Sequence, residues 1–153
     1  MSEWGTTERL AVVVRLADGE QVLGDLHLQP RAARHSGAET PLDLLDRAEP
    51  FFPLALPGDA IRFVGKAQVV RLSCAPIPAE SELDRLGISR FVGLELALSD
   101  GSTLQGRAGV TLPPTRHRAL DCLNAAGGFL VLWADDAAHY VNRAHIRMVR
   151  PLD

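Results

Sequence analysis

Lysine is nearly absent from this 153-residue chain: Lys66 is the only one, and arginine supplies the other 15 of its 16 basic side chains. Against 19 acidic residues the formal charge is −3, which speaks against wholesale electrostatic capture of nucleic acid, a function that normally needs a basic domain. Aromatic residues are scarce at 5%, but hydrophobic residues reach 46%, enough for one ordinary domain or two very small ones and too many for a disordered chain. No apolar run approaches the roughly 18 to 20 residues of a membrane helix. The longest, Leu10 to Val14 and Phe129 to Ala134, are strand-sized. Met1-Ser2-Glu3-Trp4-Gly5 lacks the basic and then apolar pattern of a secretory signal. Cys74 and Cys122, the only cysteines, lie 48 residues apart with no C-x-x-C spacing, as expected of two buried thiols in a reducing cytosol. Together these absences predict a cytoplasmic protein with no membrane segment.

Signatures of catalysis are missing as well. No G-x-S-x-G elbow, Walker loop or G-x-G-x-x-G occurs. His139 and His145 flank the last turn, but no third ligand follows at metal spacing. Asp43 and Asp121 occupy equivalent places in two helix first turns, where a capping acid is the cheaper explanation than a catalytic carboxylate pair. The expectation is a non-enzyme with no metal and no cofactor.

What the chain does contain is internal similarity, in three colinear blocks. Asp18 to Gly24 and Asp100 to Gly106 both read D-G-x-x-x-x-G, at an offset of 82. Leu42-Asp43-Leu44-Leu45-Asp46 matches Leu120-Asp121-Cys122-Leu123-Asn124, and Phe51-Phe52-Pro53-Leu54 matches Phe129-Leu130-Val131-Leu132, both at 78. Phe63 to Val69 matches Tyr140 to Ile146 at 77. Colinear blocks whose offsets drift by so little indicate a duplication.

Each copy reads as β, turn, β, loop, short helix, then further strands. Leu10, Val12, Val14 and Leu16 alternate with more polar residues, the period of a half-buried strand. Asp18-Gly19 turns the chain, and Val22, Leu26 and Leu28 return along the buried face. Val92, Leu94, Leu96 and Leu98, then Asp100-Gly101, then Leu104, Ala108, Val110 and Leu112 do the same in the second copy. Gly24 and Gly106 fall inside the return strands and predict a bulge or sharp bend. Thr40-Pro41-Leu42-Asp43 carries an N-cap, a proline at the first helical position and a first-turn acid; the matching turn runs from about Arg118 to Ala126 and ends at Gly127-Gly128. Phe129 to Trp133 is a continuous apolar run, predicting a central strand covered on both faces. The last strands are expected at Ile61–Val64 with Gln68–Leu72, and at His139–Val141 with His145–Val149. The expected fold is therefore mainly β, with two tandem small β-barrel or β-roll units, 10–73 and 91–152, each with one short helix. A stapled linker, 74–90, joins them, and the units pack face to face as a pseudo-twofold pair.

The hairpin Asp18 to Gly24, and its counterpart Asp100 to Gly106, resembles the first motif of Sm-like small barrels. The whole unit resembles more closely an uncharacterised bacterial family of small β domains, in which a D-G-x-x-x-x-G hairpin precedes an R-x-x-D-x-L-N helix and a strand beginning F-L-x-L. Arg118-Ala119-Leu120-Asp121-Cys122-Leu123-Asn124 and Phe129-Leu130-Val131-Leu132 match in full; the first copy departs, with Thr40 for the arginine and Asp46 for the asparagine. The second Sm motif, with its RNA-contacting residues, is absent. The resemblance implies a fold and no chemistry.

Two basic features are candidate binding sites. Arg31, Arg34 and His35 in the first copy, and Arg116, His117 and Arg118 in the second, precede the short helix in the same loop, suited to an anion such as a phosphate. Strand alternation would also set Arg143, His145 and Arg147 on one face, a basic stripe suited to an acidic protein surface or, less readily, to RNA. The charge is uneven: 8 basic and 13 acidic residues up to Asp84 give −5, and 8 and 6 thereafter give +2. The sequence thus favours an adaptor or regulatory subunit, monomeric or homodimeric, whose partner is another protein. Binding of RNA or a small anionic ligand through the duplicated basic loops is the alternative, with nucleic acid the less favoured partner.

Overall fold

A computed structural model of the chain describes residues 8–29, 39–76, 88–111, 118–125 and 127–152. The described residues form ten strands and two short α-helices. In the first half these are β1 (Glu8–Leu16), β2 (Gln21–Leu28), α1 (Pro41–Leu45), β3 (Phe51–Ala55), β4 (Ile61–Gly65) and β5 (Val69–Cys74). In the second half they are β6 (Ile88–Leu98), β7 (Thr103–Thr111), α2 (Arg118–Leu123), β8 (Phe129–Trp133), β9 (Ala138–Asn142) and β10 (Ile146–Pro151). All strands belong to one antiparallel sheet in the order β10-β6-β7-β8-β9-β5-β1-β2-β3-β4.

The hairpins follow from their turn residues. Gly19 and Gly101 adopt φ of +91° and +87°, open to glycine at no steric cost. The amides of Gly19 and Gly101 donate to Leu16 and Leu98 at 2.9 and 3.0 Å. Asp18 and Asp100 each accept the amide two residues on, from Glu20 and Ser102, both at 2.9 Å, which is why an aspartate precedes each glycine. The turns set matching registers, with Val14 opposite Val22 and Leu96 opposite Leu104.

Of the bulge or bend expected at Gly24 and Gly106 no bulge forms; the absent side chain makes room for a neighbouring strand. The β1–β2 register is continuous through Gly24. A Cβ there would lie 2.7 Å from the Ala55 carbonyl oxygen and 2.8 Å from Leu54 Cγ; at Gly106 it would lie 2.7 Å from Leu132 Cγ and 2.8 Å from the Trp133 oxygen. The missing side chain lets β3 and β8 close onto the return strands where the sheet turns, and only one residue pair forms at each such corner, Asp25 with Ala55 and Arg107 with Trp133.

Helix α1 begins as its sequence predicts. Thr40 Oγ1 accepts the Asp43 amide at 3.2 Å and Asp43 Oδ2 accepts the Thr40 amide at 2.8 Å, a reciprocal capping box. Helix α2 is shorter than expected, and Gly127 at φ +107° lies just beyond it.

Two hydrophobic clusters lie on opposite faces of the sheet and meet at β8 and β9. Phe129, Val131, Trp133, Ala138 and Tyr140 pack with the first-half cluster around Val12, Val14, Leu54 and Leu72. Leu130, Leu132 and Val141 pack with the second-half cluster around Leu94, Leu96, Leu98 and Val110. All five residues of β8 are therefore buried, as the continuous apolar run predicts. The halves are joined by β5 pairing with β9, Leu72 opposite Tyr140 and Cys74 opposite Ala138. The halves thus continue one open sheet edge to edge; this strand order does not by itself give the closed barrels or the face-to-face, pseudo-twofold packing expected from the sequence. Three boundaries also move. Strand β6 begins at Ile88, inside the expected linker, and 3-10 turns at Lys66–Gln68 and Arg143–His145 take residues that the sequence assigned to β5 and β10.

Replacing Gly24 or Gly106 by alanine forces β3 or β8 away from its corner and is expected to cost about 1–3 kcal/mol. Gly128, whose Cβ would meet nothing within 4 Å, is the control. A denaturant midpoint that drops for Gly24→Ala and stays in place for Gly128→Ala is the expected outcome.

Candidate functional site

The sequence-derived basic residues separate into three groups. Arg31, Arg34, Arg116 and His117 lie outside the described residues, and Arg118 is described only as the first residue of α2. The base of the first basic loop is described: the Glu39 amide donates to the Gln29 carbonyl at 2.9 Å, and the buried Glu39 carboxylate accepts the Gln29 amide at 3.1 Å and is paired with Arg47.

Arg143 and His145 sit in a 3-10 turn ahead of β10, so they do not form one strand face with Arg147. Arg143 Nε donates to the Leu123 carbonyl at 3.1 Å and Nη2 to Cys122 at 3.1 Å. Its Nη1 donates to Gly127 and Phe129, both at 2.8 Å. The guanidinium thus satisfies the open carbonyls at the C-terminus of α2 and fixes the loop into β8. Burial pulls Arg143 below the usual arginine range, and the nearby Cys122 and Asp46 act against that shift. At the matching position in the first half, Lys66 Nζ donates to the Arg47 carbonyl at 2.8 Å. The Lys66 and Arg143 amides also correspond, donating to the carbonyls of Pro50 and Gly128 at 2.8 and 2.9 Å.

His145 bridges the halves. Its Nε2 lies 2.8 Å from the Ala67 carbonyl oxygen and its Nδ1 2.8 Å from Ser99 Oγ. A carbonyl only accepts, so Nε2 carries a proton, and in the neutral ring Nδ1 accepts from the serine hydroxyl. Of the predicted stripe, Arg147 remains exposed on β10, and Arg150, also exposed, pairs with Glu95.

Two polar contacts at the β5–β9 seam carried no sequence signal. Arg15 on β1 pairs with Asp100, whose carboxylate is 2% exposed although it belongs to the second hairpin turn. Burial works against the charge of Asp100, but hydrogen bonds from Ser102 and Arg15 outweigh it and hold the carboxyl below its ordinary range. His139 on β9 lies with Nδ1 2.6 Å from Ser73 Oγ on β5. Burial, reinforced by Arg71 and opposed by Asp136, holds its imidazole below the ordinary histidine range. Cys74 and Cys122 are buried and not joined to one another, and burial raises the Cys122 thiol.

The surface feature that sequence reasoning missed is apolar. Phe51 on β3 and Phe63 on β4 are 60% and 76% exposed. The register sets Phe51 opposite Gly65 and Phe63 opposite Pro53, so both rings stand on the outer face of the terminal strand pair. Leu23 on β2 is 62% exposed and lines a groove of about 640 Å³ with Ala11, Val13 and the pairing residues Arg9 and Asp25. Both phenylalanines lie in blocks that the sequence marks only as repeats, Phe51-Phe52-Pro53-Leu54 and Phe63 to Val69. Among the described residues no group of three or more His, Cys, Asp or Glu side chains could hold a metal, and no helix is long and apolar enough to cross a membrane. No family model, curated protein or solved structure matches the chain.

Arg143→Ala removes a guanidinium donor from four carbonyls, of which Cys122 keeps the Ala125 amide, and is expected to destabilise the fold by about 1–3 kcal/mol, while Arg147→Ala shifts it by less than about 0.5 kcal/mol; chemical denaturation measures both. His139 and His27 are both held below the ordinary histidine range, burial being the largest cause in each. A depressed histidine gives stability that is present above the unfolded value near 6.5 and is lost as pH falls through the folded value. Thermal melts should therefore fall as pH drops below about 6.5, and His139→Gln should flatten that slope.

Proposed function

We propose that this chain is a non-enzymatic interaction module, an adaptor or regulatory subunit, built from one small β unit present twice and working in the cytoplasm. The duplication is supported by element-by-element correspondence. The order β5-β1-β2-β3-β4 in one half parallels β10-β6-β7-β8-β9 in the other, and the hairpin turns, corner glycines and 3-10 turns correspond as well. On this reading the units belong with the bacterial small β domains whose D-G-x-x-x-x-G hairpin they share, and with Sm-like barrels more distantly.

The observation that carries the interaction reading is the pair of exposed phenylalanines on the terminal strands. Two exposed aromatic rings on one face of an outermost strand pair are a recognition surface rather than scattered surface apolarity. Two of the basic residues proposed from sequence are meanwhile engaged in holding the fold: Arg143 on four carbonyls and His145 between the halves. Arg147 remains available at the opposite edge. The partner surface is thus centred on β3 and β4, with the basic β10 edge secondary.

Phe63→Glu, at 76% exposure, should fold normally and lose partners. The expected result is that immobilised wild-type chain captures proteins from a lysate of its own organism that Phe63→Glu does not, with Arg147→Glu having a smaller effect. Identical partner lists for wild type and Phe63→Glu would overturn the assignment of this face.

A further inference from the structure

The two halves differ in one systematic way: corresponding residues are covered in one half and open in the other, at two separate places. On β8 and β9, Phe129 and Val131 are each 6% exposed and Ala138 and Tyr140 are fully buried, because the first half packs over them. Their counterparts on β3 and β4 are Phe51, Pro53, Ile61 and Phe63. Pro53 and Ile61 are only half-buried, and Phe51 and Phe63 are the open rings described above. The reverse holds at the other end. Leu45, Val69 and Leu72 are 3%, 0% and 0% exposed, in the cluster that β8 and β9 complete. Their counterparts Leu123, Ile146 and Val149 are half-buried.

Each open surface therefore corresponds to one side of the seam that already exists inside the chain. We infer that the β3–β4 face of one chain receives the β10–α2 end of a second copy, repeating the β9–β5 seam between molecules. This rests on the duplication and on the β3–β4 interaction surface proposed above, and names the partner for that surface. Carrying the internal register over at the shared spacing of 77, where Leu72 faces Tyr140, sets Val149 opposite Phe63. A contact between two different surfaces is heterologous, so it closes into a ring or continues as a filament according to the rotation per step.

The external seam is weaker than the internal one, for identifiable reasons. Pro151 stands at the place of Cys74 and has no N–H. The Leu152 amide donates to Gly93 at 3.0 Å, and alternation along β10 then turns the Pro151 nitrogen toward the open edge. Arg147 takes the place of the fully buried Val70, and Arg150 comes opposite Arg62. Such residues blunt an edge without removing its apolar flank, so the association is concentration-dependent where the internal seam is permanent.

Complementation tests this. Phe63→Glu spoils one surface and Val149→Glu, opposite Phe63 in the carried-over register, the other; Phe63 is exposed and Val149 only half-buried, so each variant should fold, and circular dichroism verifies that. Sedimentation velocity on the full chain should show wild type growing beyond a monomer as concentration rises, with each variant alone remaining monomeric. An equimolar mixture retains one good pair of surfaces and should give a one-to-one dimer and nothing larger. Wild type that stays monomeric up to several hundred micromolar overturns the inference and leaves the adaptor reading to the capture experiment. A Val149→Glu variant that still dimerises while Phe63→Glu does not overturns it in favour of a symmetric contact through β3 and β4. If Phe63→Glu alters neither mass nor captured partners, the surface assignment falls as well.

Discussion

The pairing of β9 with β5 is the constraint on which the rest of the molecule depends. Four residue pairs, Arg71 to Cys74 against Val141 to Ala138, turn two groups of five strands into one sheet. The sheet then presents one face of β8 and β9 to each hydrophobic cluster. A half of roughly 60 residues leaves much of its apolar surface wet; here the first half completes its core with Phe129, Val131 and Tyr140 from the second. The seam is also where the unusual polar chemistry collects. Arg15 with Asp100, His139 with Ser73 and His145 with Ala67 all cross between halves. Apolar contact supplies the area, and these groups fix the register, since a one-residue slip would turn every seam side chain to the wrong face.

Much of this was legible in the sequence because local chemistry wrote it there. Asp-Gly pairs specify their turns, Thr40-Pro41 specifies a helix start, and Phe129 to Trp133 specifies a strand without a wet face. Gly24 and Gly106 were visible as special positions, but their reason was not. A glycine required for strand approach and one required for a bulge look the same until the neighbouring strand is in place.

The candidate site was much less legible. Alternation assigned Arg143, His145 and Arg147 to one face because nothing in R-A-H-I-R marks a 3-10 turn. The turn converts a proposed basic stripe into a structural clamp and a bridging imidazole. The exposed phenylalanines escaped notice for the opposite reason: F-F-P-L reads as core, and whether its outer face is covered depends on which edge of the sheet it joins. Burial of a strand's second face is a property of assembly order, which composition does not encode.

The doubly covered β8 also bears on how the molecule opens and closes. Because its alternate residues belong to different clusters, neither cluster can loosen without exposing side chains that stabilise the other. The chain should accordingly behave as one cooperative unit rather than two beads on a string, with subglobal opening confined to its outer strands. The most slowly exchanging amides would then lie along the seam at β8, β9 and β5, and the fastest at β4 and β10.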